Sequence, residues 1–330
     1  MPHHPRIAVA LLVLGVVFLA AFPLWGDTFY VRFVARIMIF ALFALSLDLL
    51  VGYAGLVSLG HAAFFGLAVY VVAGLVNMAG ITSAFVLLPA SLAAAAVAAA
   101  AIGWISIRTT GVYFIMITLA LAQMLYYFFH DQKEWGGTDG MNIDSKPTAM
   151  LGDFKLFDFY DRAQFYYLAL ACLVGAFVLL TVVLRSPFGH TLVGIRANEG
   201  RMRALGYDVQ RYKLIAFVIA GTLAGLAGFL EAARGTFATP AHLGWHESGH
   251  VLMIVILGGM GTLYGPILGA FVVLLMEDYF ATLTERWLLF MGLFVIFVVM
   301  FLPDGIAGAL KRAGSLGRRN AAPGGRGGDG

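Results

Sequence analysis

The chain has 330 residues, of which 61% are hydrophobic and only 12% are charged, with a formal net charge of +3. Soluble globular domains carry about 25% charged residues, so this chain has about half the charge that a water-exposed surface needs. The composition therefore excludes a soluble enzyme, a disordered protein and a nucleic-acid-binding protein. It indicates an integral membrane protein.

Long apolar stretches separated by polar segments predict an all-α integral membrane protein with about ten transmembrane helices, since each span needs about 20 mostly apolar residues. The stretches do not alternate in ~10-residue segments, which disfavours a β-barrel. The first stretch follows Arg6 and lacks a small-residue cleavage site, so we expect a retained span and not a signal peptide. The predicted spans are residues 7–25, 33–51, 62–78, 83–107, 111–129, 163–184, 213–233, 249–259, 265–280 and 286–302.

Glycine-rich segments interrupt the spans at two places. Residues 52–61 lie between the second and third spans, and residues 258–261 separate the short eighth and ninth spans. Broken helices at membrane depth are tolerated only where protein or a water-filled cavity surrounds them, so both segments are candidates for a solute pathway. His61 is either a pathway residue or a hydrogen-bonded residue that fixes a helix turn. The candidate pathway residues are Gly52, Gly55, Ser58, Gly60, His61, Gly258, Gly259 and Gly261.

The distribution of basic residues predicts the orientation of the chain. Residues 185–213 and the segment after residue 303 are rich in Lys and Arg, whereas residues 130–162 carry four basic and seven acidic residues. The positive-inside rule places the first two segments in the cytoplasm and the third outside. With ten spans, both termini are then cytoplasmic. The predicted division is a transmembrane domain over residues 1–310 and a disordered, basic cytoplasmic tail over residues 311–330.

The basic segment 185–213 contains the signature of a short helix. Asn198 can cap its N-terminus, Met202 and Leu205 share one face, and Gly206 suits a C-terminal cap. An isolated helix of this length is not stable in water, so we expect it to dock on a partner in the cytoplasm.

The sequence argues against two kinds of enzyme chemistry. No Lys follows a Gly, so the chain lacks a GxxxxGK[ST] phosphate loop and any ATP hydrolysis must occur in a partner. His246, Glu247 and His250 match the zinc-binding HExxH pattern, but a third ligand at Asp304 would lie most of the ~30 Å hydrocarbon core away. We therefore predict no metal site and no protease. Cys172 is the single cysteine, so no disulfide is expected.

Few charged residues fall within the spans. Glu231 and Arg234 are three residues apart and are predicted to pair on one helix face, and Asp48 is predicted to cap or pair locally. Ion-coupled carriers place ionisable groups at mid-membrane. Here Asp48, Glu231 and Glu277 all lie toward span ends, which disfavours a self-sufficient secondary transporter. That class stays open because glycine-broken spans can form binding sites.

Several segments resemble ABC-transporter permeases for branched-chain amino acids, most closely those of the LivM type. Residues 188–199, continuing through 204–207 and 213–217, look like the cytoplasmic loop of that family. The resemblance runs from about residue 35 to residue 308. Other similar blocks are residues 52–66, 111–114, 136–140 and 258–269.

The resemblance implies a multi-pass subunit of the bacterial plasma (inner) membrane in a binding-protein-dependent importer. Its expected partners are a second, homologous permease subunit, two cytoplasmic ATPase subunits that bind the ATP, a periplasmic substrate-binding protein, a small-molecule substrate and the lipid bilayer. No catalytic residue and no cofactor are expected in this chain. The residues expected to couple to an ATPase are Asn198, Glu199, Gly200, Arg201, Met202, Arg203, Ala204, Leu205 and Gly206.

The solute is left open by the sequence. The same family also serves urea and short-chain amides, and a more distant branch imports sugars. The scarcity of charge in the spans favours a pathway that lets a zwitterion pass without gripping it.

Overall fold

The structure is a computed structural model, and it describes residues 15–151, 154–302 and 305–308. In this part of the chain the architecture is a helical bundle with two very small sheets at one end. The helices are α1 (Gly15–Leu24), α2 (Thr28–Asp48), α3 (Ala62–Asn77), α4 (Ala84–Ser106), α5 (Val112–Asp131), α6 (Arg162–Arg185), α7 (Pro187–Ala197), α8 (Glu199–Ala204), α9 (Val209–Gly235), α10 (Trp245–Gly258), α11 (Gly265–Leu283) and α12 (Trp287–Phe301).

Seven helices of the described chain are long and apolar enough to cross a membrane, namely α2, α4, α5, α6, α9, α11 and α12. Helices α1, α3 and α10 are shorter and overlap the other three predicted spans, so the count of ten stays a prediction. The predicted first span begins outside the described residues. Since α3 has 16 residues, it extends only about 24 Å at 1.5 Å per residue.

Helix α2 forms the centre of the bundle. It packs against α6, α9, α10 and α11, and almost all of its length is buried. It continues into a π-helical turn, Leu49–Ala54, which ends at Gly55 in the left-handed conformation. This turn falls within the predicted second span and the glycine-rich segment that follows it, and periodicity alone did not indicate it.

Small residues bring α9 close to α3 and α4. The Ala-rich sequence of α4 lets Ala95 and Ala99 face Gly225 and Gly221. A Cβ on Gly228 would lie 2.9 Å from the backbone carbon of Phe65, so α9 rests directly on the main chain of α3. Close approach of this kind is the usual mode of helix packing in membranes.

The structure corrects two expectations about the loops. The segment 130–162 was predicted as a loop, but it contains β1 (Met141–Asn142), β2 (Thr148–Leu151) and β3 (Phe154–Asp158). Strands β2 and β3 form an antiparallel hairpin, and β1 pairs with β4 (Phe237–Ala238). These strands are short, and the predicted all-α membrane architecture holds for the bundle itself. Helix α7 is the second difference, and Pro187 at its first position suits a helix start because proline lacks the N–H that would be unpaired there.

Candidate functional site

The two glycine-rich segments meet at one end of the bundle. The Asp48 Oδ1 atom accepts a hydrogen bond from the Gly261 backbone N–H at 2.8 Å, and the Arg196 guanidinium donates to the Gly52 carbonyl. A Cβ on Gly52 would lie 2.7 Å from the Gly261 Cα atom, and one on Gly55 would lie 3.1 Å from the Arg196 Cγ atom. We call Asp48, Gly52, Gly55, Arg196 and Gly261 the glycine junction.

Gly258 and Gly259 extend the junction without touching Arg196. A Cβ on Gly258 would lie 2.6 Å from the Gly265 carbonyl carbon, so the start of α11 packs on the end of α10. Gly259 and Gly261 both have positive φ, at +114° and +74°, which L side chains rarely adopt. The break between α10 and α11 thus requires glycine for its conformation as well as for its packing.

Asp48 was predicted to cap or pair locally, and this was wrong. Its hydrogen-bond partner Gly261 is 213 positions away in the sequence, and its side chain is completely buried. Sequence separation hid the contact, because nothing in the local pattern shows that the end of α2 meets the end of α10.

His61, Ser58 and Gly60 form a separate group near the start of α3. The His61 Nε2 atom lies 2.9 Å from Ser46 Oγ, and its ring stacks on Phe43 with centroids 5.6 Å apart. Because Ser46 Oγ donates its proton to the Phe43 carbonyl at 2.6 Å, the His61 nitrogen is the donor to Ser46. Complete burial of His61 matches the interpretation of a hydrogen-bonded residue, and its place in a pathway stays a prediction.

Gly60 and Ser58 shape the backbone beside that histidine. A Cβ on Gly60 would lie 2.8 Å from the Thr118 carbonyl carbon, so this segment packs directly on the main chain of α5. Ser58 Oγ accepts from the Gly60 N–H at 3.2 Å. Both residues are buried, so their contacts are with protein.

Both predicted caps of the short helix α8 are confirmed. Asn198 Oδ1 accepts from the Arg201 N–H at 2.9 Å. At the other end Gly206 has φ +85°, its N–H donates to the Arg203 carbonyl at 2.9 Å, and the Tyr207 N–H donates to the Met202 carbonyl at 3.1 Å. This pair of hydrogen bonds is the Schellman arrangement, which ends a helix sharply.

Helix α8 is held to the bundle on one side and exposed on the other. Glu199 pairs with Arg203 at 2.5 Å and with Lys213 of α9 at 2.7 Å. The Lys213 side chain is only 6% exposed, so this ion pair fixes the start of α8 against α9. Met202 packs on Gly194 of α7. The exposed residues of this segment are Asn198, Gly200, Arg201, Arg203, Ala204, Leu205 and Gly206.

The HExxH residues lie at the start of α10. His246 stacks on Trp245, and His250 Nε2 lies 3.7 Å from Glu277 Oε2. Nowhere in the described ranges do three or more His, Cys, Asp or Glu side chains cluster as metal ligands would. Asp304, the third ligand weighed above, lies outside the described residues.

We expect the purified protein to contain less than about 0.1 zinc per chain, because tight zinc sites need at least three protein ligands. Elemental analysis after dialysis against a weak chelator measures this. Stoichiometric zinc that is lost in a His246→Ala variant would contradict the expectation.

The Glu231–Arg234 pair is confirmed. Arg234 Nε donates to Glu231 Oε2 at 2.9 Å, and its Nη2 atom contacts the other carboxylate oxygen. The two-pronged contact satisfies both charges within α9.

A cavity of about 430 Å³ lies between α4, α6, α9 and the β2–β3 hairpin, lined by apolar residues such as Leu88, Phe159 and Phe229. Cys172 also lines it, and none of the predicted pathway residues does. An apolar groove offers nothing to a charged or polar solute, so we do not place the pathway there.

The helical bundle, its broken helices and its capped helix α8 define a multi-span membrane permease. The family model for the branched-chain amino acid transport system permease component matches residues 29–301. The chain therefore belongs to that family.

Curated relatives agree with this assignment. The high-affinity branched-chain amino acid transport system permease protein LivM of Escherichia coli K12 is 31% identical over 317 residues, covering 90% of this chain and 73% of the relative. Its counterpart in Salmonella typhimurium is 30% identical with the same coverage. The ribose import permease RbsC of Bacillus subtilis is 29% identical over 39% of this chain and 43% of its own length. No solved structure matches the chain.

Proposed function

We propose that the chain is the membrane-spanning permease subunit of an ATP-driven, binding-protein-dependent importer of branched-chain amino acids. The full-length similarity to LivM supports this solute, whereas the similarity to the ribose permease covers less than half of the chain. Urea, short-chain amides and other small polar solutes are the alternatives for the same machinery.

In this proposal ten helices span the inner membrane, with both termini, α7 and α8 in the cytoplasm and the β2–β3 hairpin outside. The partners are two cytoplasmic ATPases that bind the ATP, a homologous permease subunit and a periplasmic binding protein. The basic residues of the segment 185–213 support this orientation.

The observation that carries the proposal is the geometry of α8. A six-residue helix with no buried residue gains little from its own backbone hydrogen bonds, yet both its ends are capped and Glu199 fixes it to Lys213. Such a helix is a rigid projection, suited to a cleft in an ATPase subunit.

Helix α7 offers a route from α8 to the glycine junction. Arg196 stands two residues before the Asn198 cap, and its guanidinium holds the Gly52 carbonyl. A displacement of α8 therefore shifts Arg196 against Gly52, which lies between Asp48 and Gly261. We propose that ATPase closure and reopening change the packing of the broken helices by this route, switching the permease between outward- and inward-facing states.

Deletion of residues 199–206, or the charge reversal Glu199→Lys, is expected to abolish uptake of radiolabelled L-leucine by vesicles that contain the whole transporter. The ATPase subunits should no longer co-purify with the permease, while the amount of permease in the membrane stays unchanged. Lys133→Glu is the matched control, because Lys133 is an exposed charge in the loop at the other end of the bundle. Normal uptake by the deletion variant would contradict the coupling role of α8.

A further inference from the structure

Ionisable side chains from three helices face one another inside the bundle, away from the glycine junction. Arg36 belongs to α2, Glu247 and His250 to α10, and Glu277 to α11, and these three helices pack together. We call these four residues the charge cluster. Arg36 lies about 12 Å along α2 from its first residue, at 1.5 Å per residue. Ionisable groups within membrane-crossing helices usually mark a binding site or pathway.

Contacts through Phe40 connect three members of the cluster. The Arg36 guanidinium carbon lies 5.5 Å from the centre of the Phe40 ring, and the His250 ring centre lies 5.6 Å from the same point. Glu277 Oε2 lies 3.7 Å from His250 Nε2. Glu247 precedes His250 by three residues and so shares its helix face.

Arg36 and Glu247 are unusual because neither has a direct ionic partner. Within the described chain neither side chain forms an ion pair or a hydrogen bond, and Arg36 lies over the Phe40 ring. The nearby Glu231 and Arg234 differ, because they neutralise one another at contact distance. Both side chains are partly exposed, so water or a bound polar group can compensate their charges.

We propose that the charge cluster binds the headgroup of a zwitterionic α-amino acid during its passage through the permease. Arg36 receives the α-carboxylate, for which a guanidinium is the best-matched donor. Glu247 and Glu277 receive the α-ammonium group, with His250 orienting Glu277. The His250 and Glu277 side chains are each 22% exposed, so neither is sealed in the core of the bundle.

The cluster also distinguishes between the solutes that the family resemblance leaves open. A zwitterion satisfies both the positive and the negative side of the cluster at once. Urea and short-chain amides carry no net charge on either end, so they would leave Arg36 and both carboxylates without an ionic partner. This site rests on the proposed import function and names its substrate class.

The test is uptake of radiolabelled L-leucine by vesicles that contain the whole transporter and its binding protein. Arg36→Gln and Glu247→Gln are each expected to reduce uptake by at least about tenfold, the usual cost of truncating one side of a charged contact. Arg36→Lys is expected to reduce uptake only about threefold. Lysine keeps the positive charge and lacks only the paired N–H donors with which a guanidinium binds a carboxylate. The matched controls are Arg32→Gln, one turn earlier on α2, and Glu285→Gln after α11; both residues are exposed.

Two results would overturn the assignment of the cluster. One is uptake by Arg36→Gln or Glu247→Gln within about twofold of its matched control. The other is an equal defect in Arg36→Lys and Arg36→Gln, since a loss that ignores charge indicates a packing role. Absence of leucine uptake by the unsubstituted transporter would instead contradict the proposed function. The assignment of the cluster as an amino-acid site would then be contradicted as well.

Discussion

Alanine in place of Gly52 is expected to stop solute uptake and to destabilise the protein by about 3 kcal/mol, the upper end of the usual cost of overpacking. The added Cβ would contact the Asp48 carboxylate and would lie 2.7 Å from the Gly261 Cα atom. Neither neighbour can rotate away, because one is hydrogen-bonded in place and the other is backbone. The φ of Gly52 is not positive, so the effect is steric and not conformational.

The matched control is Gly175→Ala in α6, where a new methyl group would have no heavy atom of a neighbouring described element within 4 Å. That change is expected to stabilise the helix by up to about 1 kcal/mol, because alanine loses less chain entropy than glycine. Thermal unfolding in detergent and vesicle uptake measure both variants. A Gly52→Ala protein as stable and active as Gly175→Ala would show that the two broken helices are not in close contact.

Removal of the Asp48 side chain is expected to destabilise the protein about as much as Gly52→Ala does. Asp48→Ala leaves the Gly261 N–H without its acceptor and creates a cavity at a completely buried position, which together cost about 3 kcal/mol. Asp48→Asn keeps an oxygen in the same place and is expected to cost less than about 1 kcal/mol. The predicted order of unfolding temperatures is therefore wild type, then Asn, then Ala.

Uptake by the Asp48→Asn and Asp48→Ala variants shows whether transport needs the hydrogen bond of Asp48 or its negative charge. If the acceptor is what matters, Asp48→Asn retains most of the transport and Asp48→Ala retains little. Equal loss in both variants would instead mean that the negative charge near Arg196 is required.

The sequence predicted those features that depend on local composition. Hydropathy located the helices because each one must be apolar over a length set by the bilayer. The caps of α8 were predictable because Asn198 and Gly206 act on their own backbone neighbours. The Glu231–Arg234 pair was predictable for the same reason, since both residues share one helix face.

Contacts between distant segments were not predictable in this way. The contact of Asp48 with Gly261 and the grouping of Arg36 with Glu247 and Glu277 depend on which helices become neighbours. A single sequence does not specify that. Each span taken alone contains few charged residues. Packing of α2 against α10 and α11 brings the charged residues of these separate spans near one another.

The β2–β3 hairpin was missed for a different reason. Gly152-Asp153 between Leu151 and Phe154 is a two-residue sequence typical of a hairpin turn, so the signal was present locally. The apolar, helical composition of the rest of the chain does not favour strands, so only this turn pair indicates the hairpin.

Hydropathy does not distinguish an apolar helix that is buried inside the protein from one that is exposed at its surface, and α2 illustrates the difference. Helices α2 and α4 are similarly apolar, yet α2 is buried along almost its whole length while most of α4 is not. Most side chains of α4 are not packed inside the described bundle, so one aliphatic side chain can replace another there at little cost. Those of α2 are packed among neighbouring side chains, which tolerate a change of volume poorly. Random mutagenesis should therefore recover many neutral substitutions in α4 and few in α2, so that tolerance to mutation, unlike hydropathy, identifies the helix at the centre of the bundle.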